Sequence, residues 1–187
     1  YKFDLSSLAG TVTNVKLRFY GKMNSADGTR YFDIKEVTNT TWAENNITYD
    51  TKPAIVSTAL QTFEATSTSY QWYEVDITSH IQAKIAAGQT VVSFAVVGQA
   101  VSNAYFEIAS KESSEDKPAQ LLVTSDTPFA TATTTADAYV RGGSSADTKF
   151  GADALNIVKN AGYDSDTRIS FYKFEISGLN GSVTNAK

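Results

Sequence analysis

The chain has 187 residues, of which 42% are hydrophobic, and its 16 Lys and Arg against 20 Asp and Glu give a net charge of -4. This composition permits a sizeable core, and the small negative charge provides no general attraction to nucleic acid or anionic membranes. Cysteine is absent and His80 is the sole histidine, which excludes thiol catalysis, disulfides and metal sites built on two histidines. The longest mainly apolar stretch, residues 91–97, is far shorter than the roughly 20 residues of a membrane-spanning helix. We therefore expect neither nucleic acid binding nor membrane insertion.

Most of the chain has the pattern of short β-strands between turn residues. At residues 15–20, apolar side chains alternate with Lys16, Arg18 and Tyr20, so that one face of this strand is apolar and the other basic and aromatic. Residues 91–97 are apolar on both faces, which is typical of a central strand. Further strands are predicted at residues 1–5, 31–37, 73–77, 104–109, 120–123, 138–141, 155–159 and 172–176.

One short helix is predicted after the strand at residues 73–77. Ser79 is the predicted N-cap, with Gln82 three residues later, and Gly88 is the predicted end. Many short strands, separated by Gly, Asn, Asp and Ser turns and joined by a single helix, predict an all-β fold. The expected architecture is an antiparallel β-sandwich of the jelly-roll type.

The sequence contains an internal repeat. Residues 1–16 and 172–187 are identical at ten of sixteen positions and lie 171 residues apart, which indicates one period of a tandem array. Residues 126–133 are rich in Thr and Ala and have the composition of a linker. We therefore interpret residues 1–125 as the C-terminal part of one sandwich repeat and residues 134–187 as the N-terminal part of the next.

Several motifs occur in a consistent order along the chain. Residues 42–54 read WAENNITYDTKPA and residues 72–78 read WYEVDIT, while residues 136–159 read ADAYVRGGSSADTKFGADALNIVK and residues 168–179 read RISFYKFEISGL. In rotated order, these motifs resemble the DNRLRE-type modules. Those modules are β-sandwich domains of secreted bacterial and archaeal proteins, grouped with carbohydrate-binding modules. The motif that gives these modules their name corresponds here to residues 166–170 (DTRIS). This segment keeps the acidic first position, the arginine and an aliphatic residue of the motif.

The resemblance implies an extracellular or cell-surface location and two alternative functions. Relatives repeated in large surface proteins imply a non-enzymatic structural or adhesive repeat, which we rank first because of the 171-residue period. Other relatives bind polysaccharides, notably acidic ones such as alginate, often beside a catalytic module that degrades them. A polysaccharide-binding module is therefore the alternative.

The rotated boundaries raise the question of how the sandwich is completed. A sandwich that lacks its first strands has open edges, so residues 134–187 are expected to complete the sheets within the chain or on a neighbouring copy. In the second case the contact repeats head to tail and generates a filament. A fragment of a long covalent array is the third alternative. The strand-sharing residues are expected to be Tyr172, Phe174, Ile176 and Leu179.

A carbohydrate-binding face requires flat aromatic rings with polar groups around them. Acidic sugars add a requirement for Lys or Arg, since Arg can bind a carboxylate through two hydrogen bonds. The candidate binding residues are Lys16, Arg18, Tyr20, Trp72, Arg168 and Lys173, with Lys2 as a further neighbour. An ordinary solvated sheet face is the alternative interpretation. Trp42 is interpreted as a structural anchor for a loop.

Carboxylates in predicted turns suggest a structural calcium ion, and no other cofactor is expected. Oxygen ligands of the kind that calcium prefers are offered by Asp147, Asp153, Asp164 and Asp166. No spacing singles out the paired carboxylates of a glycosidase, and no serine-nucleophile motif accompanies His80. We interpret His80 as a surface or helix-end residue and expect no enzymatic activity.

Overall fold

The computed structural model describes residues 12–125 and 130–175. Within these residues there are eleven strands, one α-helix and two short 3-10 helices, at Gly143–Ser145 and Asp164–Asp166. In chain order the strands and the helix are β1 (Val12–Met23), β2 (Arg30–Val37), β3 (Ile55–Ala65), β4 (Gln71–Asp76), α1 (Thr78–Ala86), β5 (Val91–Gly98), β6 (Phe106–Ala109), β7 (Gln120–Ser125), β8 (Ala130–Thr133), β9 (Ala136–Arg141), β10 (Leu155–Val158) and β11 (Arg168–Glu175).

The strands form two antiparallel sheets. The first sheet has the order β10-β6-β1-β7-β8, with β4 also paired to β1, and the second has the order β3-β2-β5-β11-β9. Every strand pair is antiparallel. The prediction of an all-β antiparallel sandwich with one short helix is confirmed.

The core lies between the two sheets and follows the alternation of their strands. On β1 the apolar side chains Val15, Leu17 and Phe19 are fully buried, whereas their sequence neighbours are half-buried on the opposite face. The ring centroids of Phe19 and Tyr172 are 5.1 Å apart, so the rings join β1 of the first sheet to β11 of the second. Burial of each such aromatic side chain contributes about 1.5–3 kcal/mol relative to exposure.

A second apolar cluster covers the outer face of the second sheet. Trp42 and Ile47, from the loop between β2 and β3, pack there with Phe171 of β11. The indole Nε1 of Trp42 donates a hydrogen bond of 2.9 Å to the buried Oγ of Ser93. Lys173 Nζ donates one of 2.7 Å to the backbone oxygen of Trp42. Trp42 is therefore a structural anchor for its loop, as its motif predicted.

The strand predictions were least accurate where apolar alternation is weak. β3 was missed because it is the edge strand of the second sheet, and only Phe63 and Ala65 among its residues are buried. The segment predicted as a linker contains β8, which pairs with β7 across Leu121 and Ala132. Threonine is a good strand former. A Thr-rich segment therefore forms a strand where a neighbouring strand, here β7, provides backbone hydrogen bonds. The predicted strand at residues 1–5 lies outside the described residues.

The helix begins two residues earlier than predicted, with Ile77 and not Ser79 at its N-cap position. Ser79 lies inside α1, so the prediction that it caps the helix was wrong. Asp76 Oδ1 accepts the backbone N–H of Thr78 at 2.8 Å, and Thr78 Oγ1 accepts the backbone N–H of Val15 at 2.8 Å, which ties the helix to β1. Gly88 follows the helix with φ +71, a left-handed conformation that glycine adopts without strain. Within the described residues, no helix is long and apolar enough to cross a lipid bilayer.

The strands after residue 134 complete both sheets in this chain. β11 lies between β5 and β9, while β10 pairs with β6. Tyr172 and Phe174 of the expected strand-sharing segment are core residues of β11, and Ile176 and Leu179 lie outside the described residues. The division into two partial repeats and the 171-residue period stay predictions.

Candidate functional site

The outward side chains of β1 and β4 form one continuous surface on the first sheet. Because the strands are antiparallel, Arg18 lies opposite Glu74 and Tyr20 lies opposite Trp72. Directly opposite residues in a sheet share a face and contact each other. We call this surface the β1–β4 face. Its side chains are Lys16, Arg18, Tyr20 and Lys22 of β1, Trp72 and Glu74 of β4, Tyr70 directly before β4, and Lys117 and Gln120, which contact Tyr20 and Arg18.

Three aromatic rings are packed against one another on the β1–β4 face. The ring centroids of Tyr20 and Trp72 are 5.3 Å apart with an interplanar angle of 56°. Those of Tyr20 and Tyr70 are 5.4 Å apart, and the two rings are nearly parallel at 14°. All three residues are half-buried, so their rings are packed against neighbours yet reach the surface. This aromatic row therefore offers partly exposed aromatic surface, and a cationic side chain lies over each of its rings.

The guanidinium of Arg18 is held in place from two directions. Its Cζ lies 4.0 Å from the centroid of the Trp72 ring, a cation–π contact, and its Nε donates a hydrogen bond of 2.7 Å to Oε1 of Gln120. Burial lowers the pKa of Arg18, although the nearby charge of Glu74 opposes this shift. The guanidinium nevertheless stays charged at neutral pH.

The lysines of this surface already have carboxylate partners. Lys16 Nζ lies 2.9 Å from Glu74, and Lys22 Nζ lies 3.6 Å from Glu107. Lys117 Nζ is 3.9 Å from Glu115 and 4.1 Å from the centroid of the Tyr20 ring. In the part of the chain that the structure describes, no carboxylate oxygen lies within 4.0 Å of the Arg18 guanidinium. Arg18 is therefore the cation of this face that remains available to an anionic ligand.

Tyr70 is fixed at the edge of the aromatic row. Its hydroxyl donates a hydrogen bond of 3.3 Å to Oε2 of Glu107. Burial, together with the charge of Glu107, raises the pKa of Tyr70 to about 12. The ring therefore stays neutral, and Lys22 Nζ lies 4.9 Å from its centroid.

A cleft of 570 Å³ opens beside Trp72, between β3 and β4. Its polar lining includes Gln61, Thr62 and Glu64 from β3 and Gln71 from β4. Amide, hydroxyl and carboxylate groups of this kind bond readily to hydroxyl groups. The aromatic row therefore continues into a cleft that suits a hydroxyl-rich ligand.

Four of the six predicted binding residues are brought together, and two are not. Lys16, Arg18, Tyr20 and Trp72 lie on the β1–β4 face, whereas Arg168 and Lys173 belong to β11 of the second sheet. Because β11 pairs with β5, both residues lie on a different sheet from β1. The prediction that they lie beside Arg18 and Tyr20 was therefore wrong. Lys2 lies outside the described residues.

The sequence interpretation missed four contributors to this surface. Lys22 continues the outward alternation of β1, and Tyr70 precedes Trp72 by two residues, so a longer period-two pattern would have indicated both. Gln120 and Lys117 reach the surface only through the pairing of β7 with β1 and the chain that leads into it. No local pattern indicates these two residues.

The four candidate calcium ligands do not form a cluster. Asp153 accepts a hydrogen bond of 3.2 Å from the hydroxyl of Tyr139, and Asp164 accepts one of 2.8 Å from the hydroxyl of Tyr49. Asp166 bonds to three cationic side chains instead. Asp147 is exposed. The described ranges contain no group of three or more His, Asp or Glu that could hold a metal ion, so structural calcium stays a prediction without an identified set of ligands.

His80 lies near the start of α1, in line with the helix-end interpretation, and its half-buried ring packs against the core. It lies in α1, with its ring centroid 5.7 Å from that of Phe94. Burial lowers the pKa of His80, although the charge of Glu36 opposes this shift. The imidazole is therefore neutral at neutral pH.

Comparison with known proteins identifies the family. The model of Carbohydrate-binding module family 96 matches residues 1–125 and 128–187, which is nearly the whole chain. The chain belongs to carbohydrate-binding module family 96. The description of this family is that of a binding module.

One curated relative of this family 96 module is an enzyme of much greater length. A gellan lyase from Bacillus sp is 27% identical over 131 residues, which are 68% of this chain and 5% of that protein. The module thus spans only a small part of its relative. No solved structure matches the chain.

Proposed function

We propose that this module binds a polysaccharide through the β1–β4 face. Family membership supports a carbohydrate ligand, and the gellan lyase relative supports a polymeric one. The observation that carries the choice of surface is the position of Arg18. Its charged guanidinium lies 4.0 Å from the Trp72 ring, beside the Tyr20 and Tyr70 rings.

The chemistry of the face favours an acidic polysaccharide. A pyranose ring stacks its apolar side against the aromatic row, while its hydroxyls bond to the polar side chains of the adjoining cleft. A sugar carboxylate then accepts hydrogen bonds from the terminal nitrogens of Arg18, whose Nε is already occupied by Gln120. Each hydrogen bond to a charged group contributes about 1.5–3 kcal/mol.

The proposed setting is extracellular, beside a polysaccharide-degrading catalytic module. The gellan lyase relative supports this setting, since its matching segment is a small part of a protein named as a lyase. The more specific assignment to the DNRLRE-type modules stays a prediction. It rests on the motifs in the sequence.

The binding proposal is tested by calorimetric titration of the 187-residue chain with gellan and with alginate. Carboxyl-reduced alginate serves as the neutral counterpart. We expect Arg18→Ala and Trp72→Ala each to weaken binding of the acidic polymer by at least about tenfold, equivalent to about 1.4 kcal/mol. Arg30→Ala is the matched control, because Arg30 bonds to Ser102 and lies on β2 of the second sheet. Undiminished binding by both face variants would assign the ligand to another surface.

The filament hypothesis is a second proposal, supported by the duplicated residues 1–16 and 172–187. It is separated from the first by sedimentation of the purified chain over a range of concentrations. Growth of the mass with concentration, with polymers visible by electron microscopy, would support strand exchange between copies. A constant mass of 20.2 kDa would exclude it and leave polysaccharide binding as the function.

A further inference from the structure

A second group of cations lies at the start of β11, on the other sheet. Oδ1 of Asp166 lies 3.0 Å from Nη2 of Arg141 and 3.3 Å from Nη2 of Arg168, while Oδ2 bonds to Nζ of Lys159. The hydrogen bond from Lys159 and the charge of Arg168 lower the pKa of Asp166, against the opposing effect of burial. The single carboxylate of Asp166 is therefore the ion-pair partner of three cationic side chains.

The neighbouring carboxylates do not relieve this excess of positive charge by direct contact. Asp153 and Asp164 are engaged by the hydroxyls of Tyr139 and Tyr49. Among the described residues, neither lies within 4.0 Å of the nitrogens of Arg141, Lys159 or Arg168. Asp166 is therefore the only described carboxylate in contact with the three cations.

The two arginines also keep unused hydrogen-bond donors. The Nε atoms of Arg141 and Arg168 are buried and have no hydrogen-bond partner within the described parts of the chain. An unsatisfied buried donor is costly, and in native proteins it frequently indicates a missing ion, water or ligand. The side chain of Arg141 is 38% exposed. The Nε atoms themselves are buried, so a ligand reaches the Nε–Nη2 edge of either guanidinium only by replacing Asp166 there.

A cleft of 410 Å³ adjoins this cation group. Lys159 and Arg168 line it together with Tyr163 and Val101, which are 61% and 66% exposed. The two loops that carry Val101 and Tyr163 are joined by a hydrogen bond of 2.7 Å from the backbone N–H of Ser102 to the oxygen of Asn160. Asp164 also lines the cleft, whereas Arg141 does not. The cleft thus combines an exposed aromatic ring, an apolar side chain, one carboxylate and the cations of Lys159 and Arg168.

We propose that this cleft is a second site of the module, for a sugar that carries a carboxylate. In this proposal the sugar carboxylate replaces Asp166 on the Nε–Nη2 edge of Arg168, the arginine that lines the cleft, and the pyranose stacks on the ring of Tyr163. The ligand class rests on the proposed polysaccharide binding, whereas the surface is separate, since β11 belongs to the second sheet. Two sites on different sheets let one module hold two segments of polysaccharide, which raises avidity without new contacts at either site.

The test uses nuclear magnetic resonance of the isotopically labelled 187-residue chain, titrated with sodium glucuronate. The Nε–H signals of Arg141 and Arg168 report the second site, and the indole N–H signal of Trp72 reports the β1–β4 face. We expect a saturable shift of both arginine signals that is unchanged in Trp72→Ala. In Tyr163→Ala we expect the affinity at the arginines to fall by at least about tenfold. Arg168→Gln should abolish the shift of the Arg141 signal, which reports the site because Arg141 shares Asp166 with Arg168.

Two control ligands separate the possible outcomes. Methyl glucoside carries no carboxylate and is expected to leave the arginine signals unshifted, and sodium sulfate tests for an inorganic anion site. Equal responses to sulfate and glucuronate, or no saturable arginine shift, would overturn the second site. If Trp72 responds and the arginines do not, the second site fails and the β1–β4 proposal stands. If the arginines respond and Trp72 does not, only the β1–β4 proposal fails.

Discussion

Asn156 Nδ2 donates a hydrogen bond of 2.8 Å to Oδ2 of Asp137, and each residue is only 1% exposed. Asn156 lies on β10 of the first sheet and Asp137 on β9 of the second, so the bond joins the two sheets. The other carboxylate oxygen, Oδ1 of Asp137, has no hydrogen-bond partner in the described part of the chain. Burial raises the pKa of Asp137 to about 7, because a single amide donor does not replace the lost water.

This buried carboxyl predicts that stability falls as pH rises. The pKa of about 7 in the folded chain lies above the ordinary value of 3.8, so the folded state binds more protons between these pH values. The contribution of Asp137 to the free energy of unfolding is therefore fully present near pH 4 and is lost as pH rises to about 7. The steepest slope expected is about 1.4 kcal/mol per pH unit.

Urea unfolding of wild type, Asp137→Asn and Asp27→Asn between about pH 4 and pH 8 measures this slope. Asp27 is exposed and serves as the control. The fall in stability with rising pH should disappear in Asp137→Asn and remain in Asp27→Asn, whereas the lowered pKa of His80 gives both variants a rise in stability as pH increases. Parallel pH profiles for wild type and Asp137→Asn would show that Asp137 does not titrate in this range.

Arg18→Lys tests the importance of the guanidinium shape on the β1–β4 face. Lysine keeps the positive charge but can neither bind a carboxylate through a planar pair of donors nor retain the same contact with Gln120. We expect affinity for an acidic polysaccharide to fall about tenfold, while affinity for its carboxyl-reduced form changes little. Calorimetric titration measures both, with Arg30→Lys as the control on the second sheet. Equal losses for the two polymers would exclude carboxylate recognition by Arg18.

Two substitutions of Tyr70 separate the role of its aromatic ring in binding from that of its hydroxyl. Tyr70→Phe removes a hydrogen bond of 3.3 Å to Glu107 but preserves stacking on Tyr20. The expected loss of stability is at most about 1 kcal/mol, and polysaccharide affinity should be unchanged. Tyr70→Ala removes the ring and should weaken binding. If Tyr70→Phe weakens binding as much as Tyr70→Ala, the hydroxyl and not the ring contacts the ligand.

The two tryptophans of the chain are expected to have opposite roles. Trp42→Phe removes the buried donor to Ser93, which should lower the free energy of unfolding by about 1–3 kcal/mol. Polysaccharide affinity should stay unchanged, because Trp42 covers the second sheet. Trp72→Phe should weaken polysaccharide binding while lowering the free energy of unfolding by at most about 1 kcal/mol, since phenylalanine keeps an aromatic ring beside Tyr20 and Arg18. Urea unfolding and calorimetric titration of both variants measure the contrast, and a loss of binding in Trp42→Phe at unchanged stability would contradict it.

Local sequence patterns by themselves determined the strand character of most of the fold and the faces of its strands. Because successive side chains of a strand point to opposite faces, the alternation at residues 15–20 was sufficient to place Arg18 and Tyr20 on one surface and Leu17 in the core. In the same way, Gly88 indicated where α1 ends. Such inferences succeed because their physical causes act over a few residues.

The tertiary structure alone decided which of these faces meet. Trp72 lies opposite Tyr20 across β1 and β4, and Gln120 reaches Arg18 through the pairing of β7 with β1. The same kind of pairing moved Lys173 away to the second sheet, against Trp42. A period-two pattern specifies the face of each strand but not its neighbour, since the choice of partner depends on contacts between residues far apart in the chain.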